Sequence, residues 1–271
     1  MLTVFAVPKA FVGSTAEIQT RAVLSWTALH PEVQVVLVGD EPGVAEVAAR
    51  AGAEHLPTVD QTCAGTPRVN SAFAQVAALA NHSLLCYVNA DVLLGADLVA
   101  AVERVALVEP RFLLVGQTLD VDGGLLPDGD EERRRAALEH GSPRGAAALD
   151  WFVFPKGHLE PIPPFVVGRA GWDNWLVWRA RQRGPVIDAT DAVVAIHQAH
   201  GYGHVAGGKE GAYYGPEAVS NLRLAGSSRR IYTLHDASHR LTADLRIRRN
   251  LAATLRAGET LRKVKWKLGV R

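Results

Sequence analysis

A chain of 271 residues with 48% hydrophobic and 21% charged side chains can bury a sizeable core as one large domain or two small ones, which excludes disordered, collagen-like and fibrous classes. Its formal net charge of +1 is unevenly placed: residues 229–271 hold 12 Lys/Arg against three acids, a net of +9, while residues 1–228 hold 17 against 25, a net of −8. An acidic body repels phosphate backbones, so a generic nucleic-acid binder is excluded and the basic end needs its own explanation.

In chain order, Thr3–Val7 reads as a strand ended by Pro8, and Ile18, Ala22, Leu24, Trp26 and Leu29 recur at helical spacing over 15–29. The β-branched run Val33–Val38 stops at a Gly/Pro turn and is followed by a helix over 44–51 that Gly52 ends. A short strand over Glu54–Val59, a helix over 69–80, a strand over Leu84–Val88, a helix over 96–108 and a strand over 112–116 continue the alternation. Such alternation predicts a mostly parallel sheet with helices on both faces. After Thr118 it gives way to a Gly-, Pro- and charge-rich excursion of about thirty residues, a length that in compact domains marks functional or disordered loops. Asp150–Phe154 returns as a strand, Ile162-Pro163-Pro164 is a rigid connector, Trp172–Arg183 a helix and Val193–His197 a strand. Scattered leucines predict a basic helical stretch over 239–267.

Cys63 and Cys86 share no metal-type spacing, so neither a disulfide framework nor a cysteine zinc site is expected, and a reducing cytoplasm fits. No run approaches the ~18 apolar residues of a membrane span, and the opening MLTVFAVPK lacks a basic segment before its apolar stretch. Neither a span nor a signal peptide is expected.

Three places carry chemistry. Asn89-Ala90-Asp91 follows the strand LLCYV, and strand ends in open α/β sheets face the ligand crevice. Alternation puts Asn89 and Asp91 on one side, where their oxygens suit a hard cation such as Mn²⁺ or Mg²⁺; otherwise Asp91 caps the following helix. His197, His200 and His204 cluster after the run VVAI and read as cation ligands, a three-histidine zinc site or a His-rich surface loop. Asp173 lies between Trp172 and Trp175 at a helix start, either as a helix-dipole partner or as a general base whose pKa an apolar setting raises. Four of the six tryptophans, Trp151, Trp172, Trp175 and Trp178, fall in this region and serve core packing or sugar stacking.

This order of strand–helix repeats, Asn89-Ala90-Asp91, a Trp-Asp-Asn helix start and a strand ending in histidine resembles the nucleotide-sugar-dependent glycosyltransferases of the GT-A fold (family 2-like), over about residues 1–205. The resemblance implies a Rossmann-like α/β fold with a mostly parallel sheet. It implies a catalytic domain over 1–228, with a donor-binding half to about 118 and an acceptor-side half from 119, and a basic helical extension over 229–271. Asp91 matches the last aspartate of the family's Asp-X-Asp motif, and Asn89 stands where the first acid would be. His197, with His200 second, matches a histidine that completes the metal site, and Asp173 the base of inverting members. Pro8, Asp40, Arg68 and Asn70, with Asn89 and Asp91, would hold the donor, and Trp151 and Trp172 the acceptor. The implied partners are a Mn²⁺ or Mg²⁺ ion, a nucleotide-sugar donor and a carbohydrate or lipid-linked acceptor, with no nucleic acid. The implied place is the cytoplasm, with peripheral contact to the inner face of the membrane through the basic tail. A sugar-phosphate nucleotidyltransferase and a non-catalytic glycan-binding module are the competing readings.

Overall fold

The first strand, β1 (Leu2–Ala6), is buried along its length, and its alternate side chains enter two different cores: Val4 and Ala6 one, Phe5 the other. A strand apolar on both faces needs cover on both, which is why the following segments are helices rather than exposed hairpins. In this computed structural model, which describes residues 1–199, 208–251 and 253, the chain continues as α1 (Gly13–Thr27), β2 (Gln34–Val38), α2 (Val44–Ala51), β3 (Glu54–Leu56), α3 (Val69–Leu79), β4 (Leu84–Val88), β5 (Val92–Leu93) and α4 (Ala96–Ala106). Next come β6 (Leu113–Val115), β7 (Thr118–Val121), α5 (Asp130–His140), β8 (Ser142–Pro143), β9 (Trp151–Pro155), α6 (Trp172–Arg181), β10 (Val186–Asp188) and β11 (Ala195–Gln198). The described elements close with α7 (Gly208–Tyr214), α8 (Pro216–Ala225), β12 (His239–Leu241) and β13 (Ile247–Arg249).

The large sheet has the order β13-β12-β10-β6-β9-β4-β1-β2-β3. It is mostly parallel, as expected; β9 lies antiparallel between β4 and β6, and β13 antiparallel at the edge. Helices α1, α2 and α4 cover one face through Ala22, Trp26, Val47, Leu98 and Val102, and α3 and α6 cover the other through Phe73, Val76, Trp175 and Leu176. A second sheet, β5-β11-β7-β8, starts within a few residues of the ends of β4 and β6 and so sits beyond the carboxyl edge of the large sheet.

Two expectations are corrected. The excursion after Thr118 is structured: it holds β7, α5 and β8, and its short strands are held by pairing, β7 with β11 and β8 with β7. The helix expected over 239–267 is, over its first part, a β-hairpin, with Leu241 paired to Ile247. Leu241 and Leu245 are four apart, as on a helix, but Leu245 takes φ 57° in the hairpin turn, and burial of Leu241 at the sheet edge decides the outcome. Residues 252 and 254–267 of that expectation lie outside the described residues.

Candidate active site

Just past β4 the chain turns: the Asn89 amide donates to the Asp150 carbonyl (2.8 Å) and the Val92 amide to the Asn89 carbonyl (3.0 Å). This turn presents Asn89 and Asp91 to a cavity of about 450 Å³ that Lys9, Arg144, Asp173 and His197 also border. The α4 helix is capped by Gly95, so Asp91 is not its cap. Asp91 instead faces two basic groups, with Lys9 Nζ 4.0 Å from Oδ2 and His197 Nε2 3.9 Å from Oδ1. Burial lowers the Lys9 ammonium pKa, against the opposing pull of Asp91.

Asn89 turns its amide into the wall. It accepts from the Tyr87 hydroxyl (3.0 Å) and donates to Asp150 Oδ1 (2.9 Å); the other Asp150 oxygen accepts from Thr118 Oγ1 (2.6 Å) and has Arg144 Nε at 3.5 Å. A carboxylate at position 89 would stand at hydrogen-bond distance from the buried carboxylate of Asp150, a like-charge pair that a low-dielectric site penalises. An amide at position 89 avoids that pair and bonds to Asp150 instead.

Asp173 occupies the first turn of α6, whose N-cap, Gly171, has φ 98°. Its Oδ1 accepts from the Asn174 amide at 2.9 Å. Asn174 Nδ2 in turn donates to the Tyr232 carbonyl (2.7 Å), and the Tyr232 amide to the Asn174 carbonyl (3.1 Å), which clamps the helix start. Desolvation, with a smaller contribution from the charge of Asp150, pushes the Asp173 carboxyl up to about 7. The helix-dipole partner and the base of raised pKa are therefore compatible at this one residue.

Trp172 borders the cavity but is only 4% exposed, packed edge-on against Tyr87 at 5.1 Å. Trp151 is a correction: it is fully buried, away from the cavity, with its ring 2.8 Å from where a Gly116 Cβ would stand, so it has no face for an acceptor sugar. Trp175 is core as well. Of the expected donor residues, Asn89 and Asp91 reach the cavity, and Val7 and Lys9 reach it on either side of the buried Pro8. Asp40 is exposed and does not line it. Arg68 starts α3 and donates to the Pro164 carbonyl (3.0 Å), and Asn70 borders a separate cleft with Phe73 and Ile162. His200 and His204 lie outside the described residues.

Sequence reasoning missed Asp120, Arg144 and Asp150. Asp120 Oδ1 meets His197 Nδ1 at 2.6 Å and Arg144 Nη1 at 3.5 Å. Asp120 and Asp150 are distant in sequence from His197 and Asn89, the residues they hold, and all three sit in segments without a motif. Among the described residues no cluster of three or more His, Cys, Asp or Glu surrounds one point. The pair Asp91 and His197 nevertheless fits a divalent cation that takes its remaining oxygens from a diphosphate and water: it offers one carboxylate and one imidazole whose other nitrogen is bonded to a carboxylate.

No family model matches the chain, and no curated protein does. Among solved structures, TarS 1–349 from S. aureus in complex with UDP-GlcNAc superposes with a TM-score of 0.51 at 14% identity, over 74% of this chain and 59% of that one. Glucosyl-3-phosphoglycerate synthase from Mycobacterium tuberculosis, in complex with Mg²⁺ and UDP, superposes with a TM-score of 0.50 at 15% identity, over 83% and 79%. The chain has the GT-A-type α/β fold of these proteins. It spans less than two thirds of the TarS fragment, and at such identities the likeness defines the fold alone.

Proposed function

We propose that the chain is a glycosyltransferase that moves a sugar from a nucleoside-diphosphate donor to an acceptor hydroxyl, with a divalent cation and inversion at the sugar. One observation carries the reading: Asp173, raised to about 7, shares a cavity with Asp91, His197 and Lys9 beyond the strand ends of a GT-A-type sheet. Asp173 takes the proton of the acceptor hydroxyl, that oxygen bonds to the anomeric carbon, and the bond from this carbon to the diphosphate breaks. Asp91 and His197 would hold Mn²⁺ or Mg²⁺, which when bound neutralises charge on the leaving diphosphate. Lys9 and Arg144 add positive charge on the same cavity wall. The acceptor is a carbohydrate or a lipid-linked one.

The test is the anomeric configuration of the product by NMR, alongside Asp173→Asn, which is expected to bind donor but lose transfer by ~100-fold or more. Retention of configuration would remove Asp173 from the base role. Pyrophosphate release from a nucleoside triphosphate and a sugar 1-phosphate, with no transfer from a nucleotide-sugar, would mark a nucleotidyltransferase. Of the four clustered tryptophans, Trp151, Trp172 and Trp175 are at most 5% exposed and Arg230 lies over the ring of the partly exposed Trp178 at 4.8 Å, which disfavours the glycan-binding reading.

A further inference from the structure

We propose that Asp120 is a positioning residue that fixes the ring of His197 so that its Nε2 lone pair is aimed at the cation side of the cavity, an inference that rests on the cation reading above. The small sheet lines the relevant groups up by register. In the parallel pairing of β11 with β7, His197 is the direct partner of Asp120; in the antiparallel pairing of β11 with β5, His197 is the partner of Val92, the residue after Asp91. β7 and β11 thus set Asp120 beside His197, and the residue just before β5 brings Asp91 to the other side of the ring.

The distances on the two sides of the ring are unequal. His197 Nδ1 lies 2.6 Å from Asp120 Oδ1, whereas Nε2 lies 3.9 Å from Asp91 Oδ1. The first is a short charge-assisted hydrogen bond, and the second is beyond hydrogen-bond range. A ring nitrogen that donates to a carboxylate carries the proton, so the neutral ring keeps its lone pair on the other nitrogen, here the one facing Asp91. Outer carboxylates orient metal-binding histidines in this way and raise their basicity.

Asp120 is itself held. Arg144 reaches Asp120 Oδ1 through Nη1 and Asp150 Oδ2 through Nε, both at 3.5 Å, and the Arg144 amide donates to the Thr118 carbonyl at 3.0 Å. One guanidinium therefore ties the His197 support to the Asn89–Asp150 wall. The nearby Asp122 does something else: it caps a short helical turn by accepting from the Gly124 amide at 2.9 Å.

Two measurements on the intact protein test the role. In ¹⁵N-histidine NMR of the metal-free protein, wild type is expected to show His197 in the Nδ1–H form, Asp120→Ala to lose that preference, and Asp122→Ala to keep it. In Mn²⁺ titrations followed by EPR, Asp120→Ala is expected to weaken Mn²⁺ binding 10–100-fold, with Asp120→Asn intermediate and thermal unfolding confirming a folded variant. An Nε2–H ring in wild type, or Mn²⁺ binding by Asp120→Ala equal to wild type while His197→Ala loses it, would overturn the proposal. If wild type binds no Mn²⁺, the cation reading fails by itself, and the proposal, which rests on it, falls in its cation-directed form; the NMR arm then decides only whether Asp120 sets the ring.

Discussion

Asp173 is held at about 7 chiefly because its carboxylate loses water, with the charge of Asp150 as a secondary cause. A base must be ionised to work, so transfer is expected to fall as pH drops through about 7, with an acid limb that Asp173→Asn cannot show. Stability moves the other way. The folded state keeps this proton to about 7, while the unfolded carboxyl releases it near 3.8; stability therefore falls as pH rises between these values, and the cost persists above them. Asp173→Asn is expected to gain melting temperature relative to wild type on going from pH 4 to pH 8. An equal difference at both ends would contradict the raised pKa. Asp91, Asp173 and His197 were legible in the sequence because each sits beside a local signal, a strand end or a helix start. Asp120 and Asp150 were not, because their partners are 77 and 61 residues away and pairing at that range is set by strand register.

At the scale of elements, the start of α6 is the part on which the site most depends. Gly171 has φ 98°, and a Cβ there would stand 2.7 Å from Leu222 Cδ2. Gly171→Ala meets both a left-handed backbone and a clash with α8, so it is expected to destabilise by about 1–3 kcal/mol and to weaken transfer more than donor binding. Urea unfolding measures the first; an unchanged midpoint would show that the turn relaxes freely. The alternating strands and helices up to Val115 were readable because each element carries its own apolar period. The strands β5, β7 and β8 have two to four residues, too few for a period to register. Helix α8 carries a start and a stop signal, Pro216 at its first turn and Gly226 at its end.

For the whole molecule, the charge division of +9 on −8 has a partial answer. The described part of the basic segment docks on the body: β12 joins the sheet beside β10, Arg240 lies 3.5 Å from Asp191, and Arg104 donates to the Leu245 carbonyl at 3.1 Å. Each further Lys/Arg near an anionic surface contributes about 1 kcal/mol, so the full chain is expected to co-sediment with anionic vesicles at low salt and to be released at high salt. No sedimentation at low salt would remove the membrane role. Among the described residues the fold places the cavity of Asp91, Asp173 and His197 beyond the strand ends, where sugar is proposed to leave its nucleotide. The most direct measurement is release of free nucleotide from UDP-, GDP- and dTDP-sugars with Mn²⁺, for wild type and Asp91→Ala. Wild type is expected to turn over at least one donor and Asp91→Ala to lose that turnover; no release from any donor, or equal release by both proteins, would contradict it.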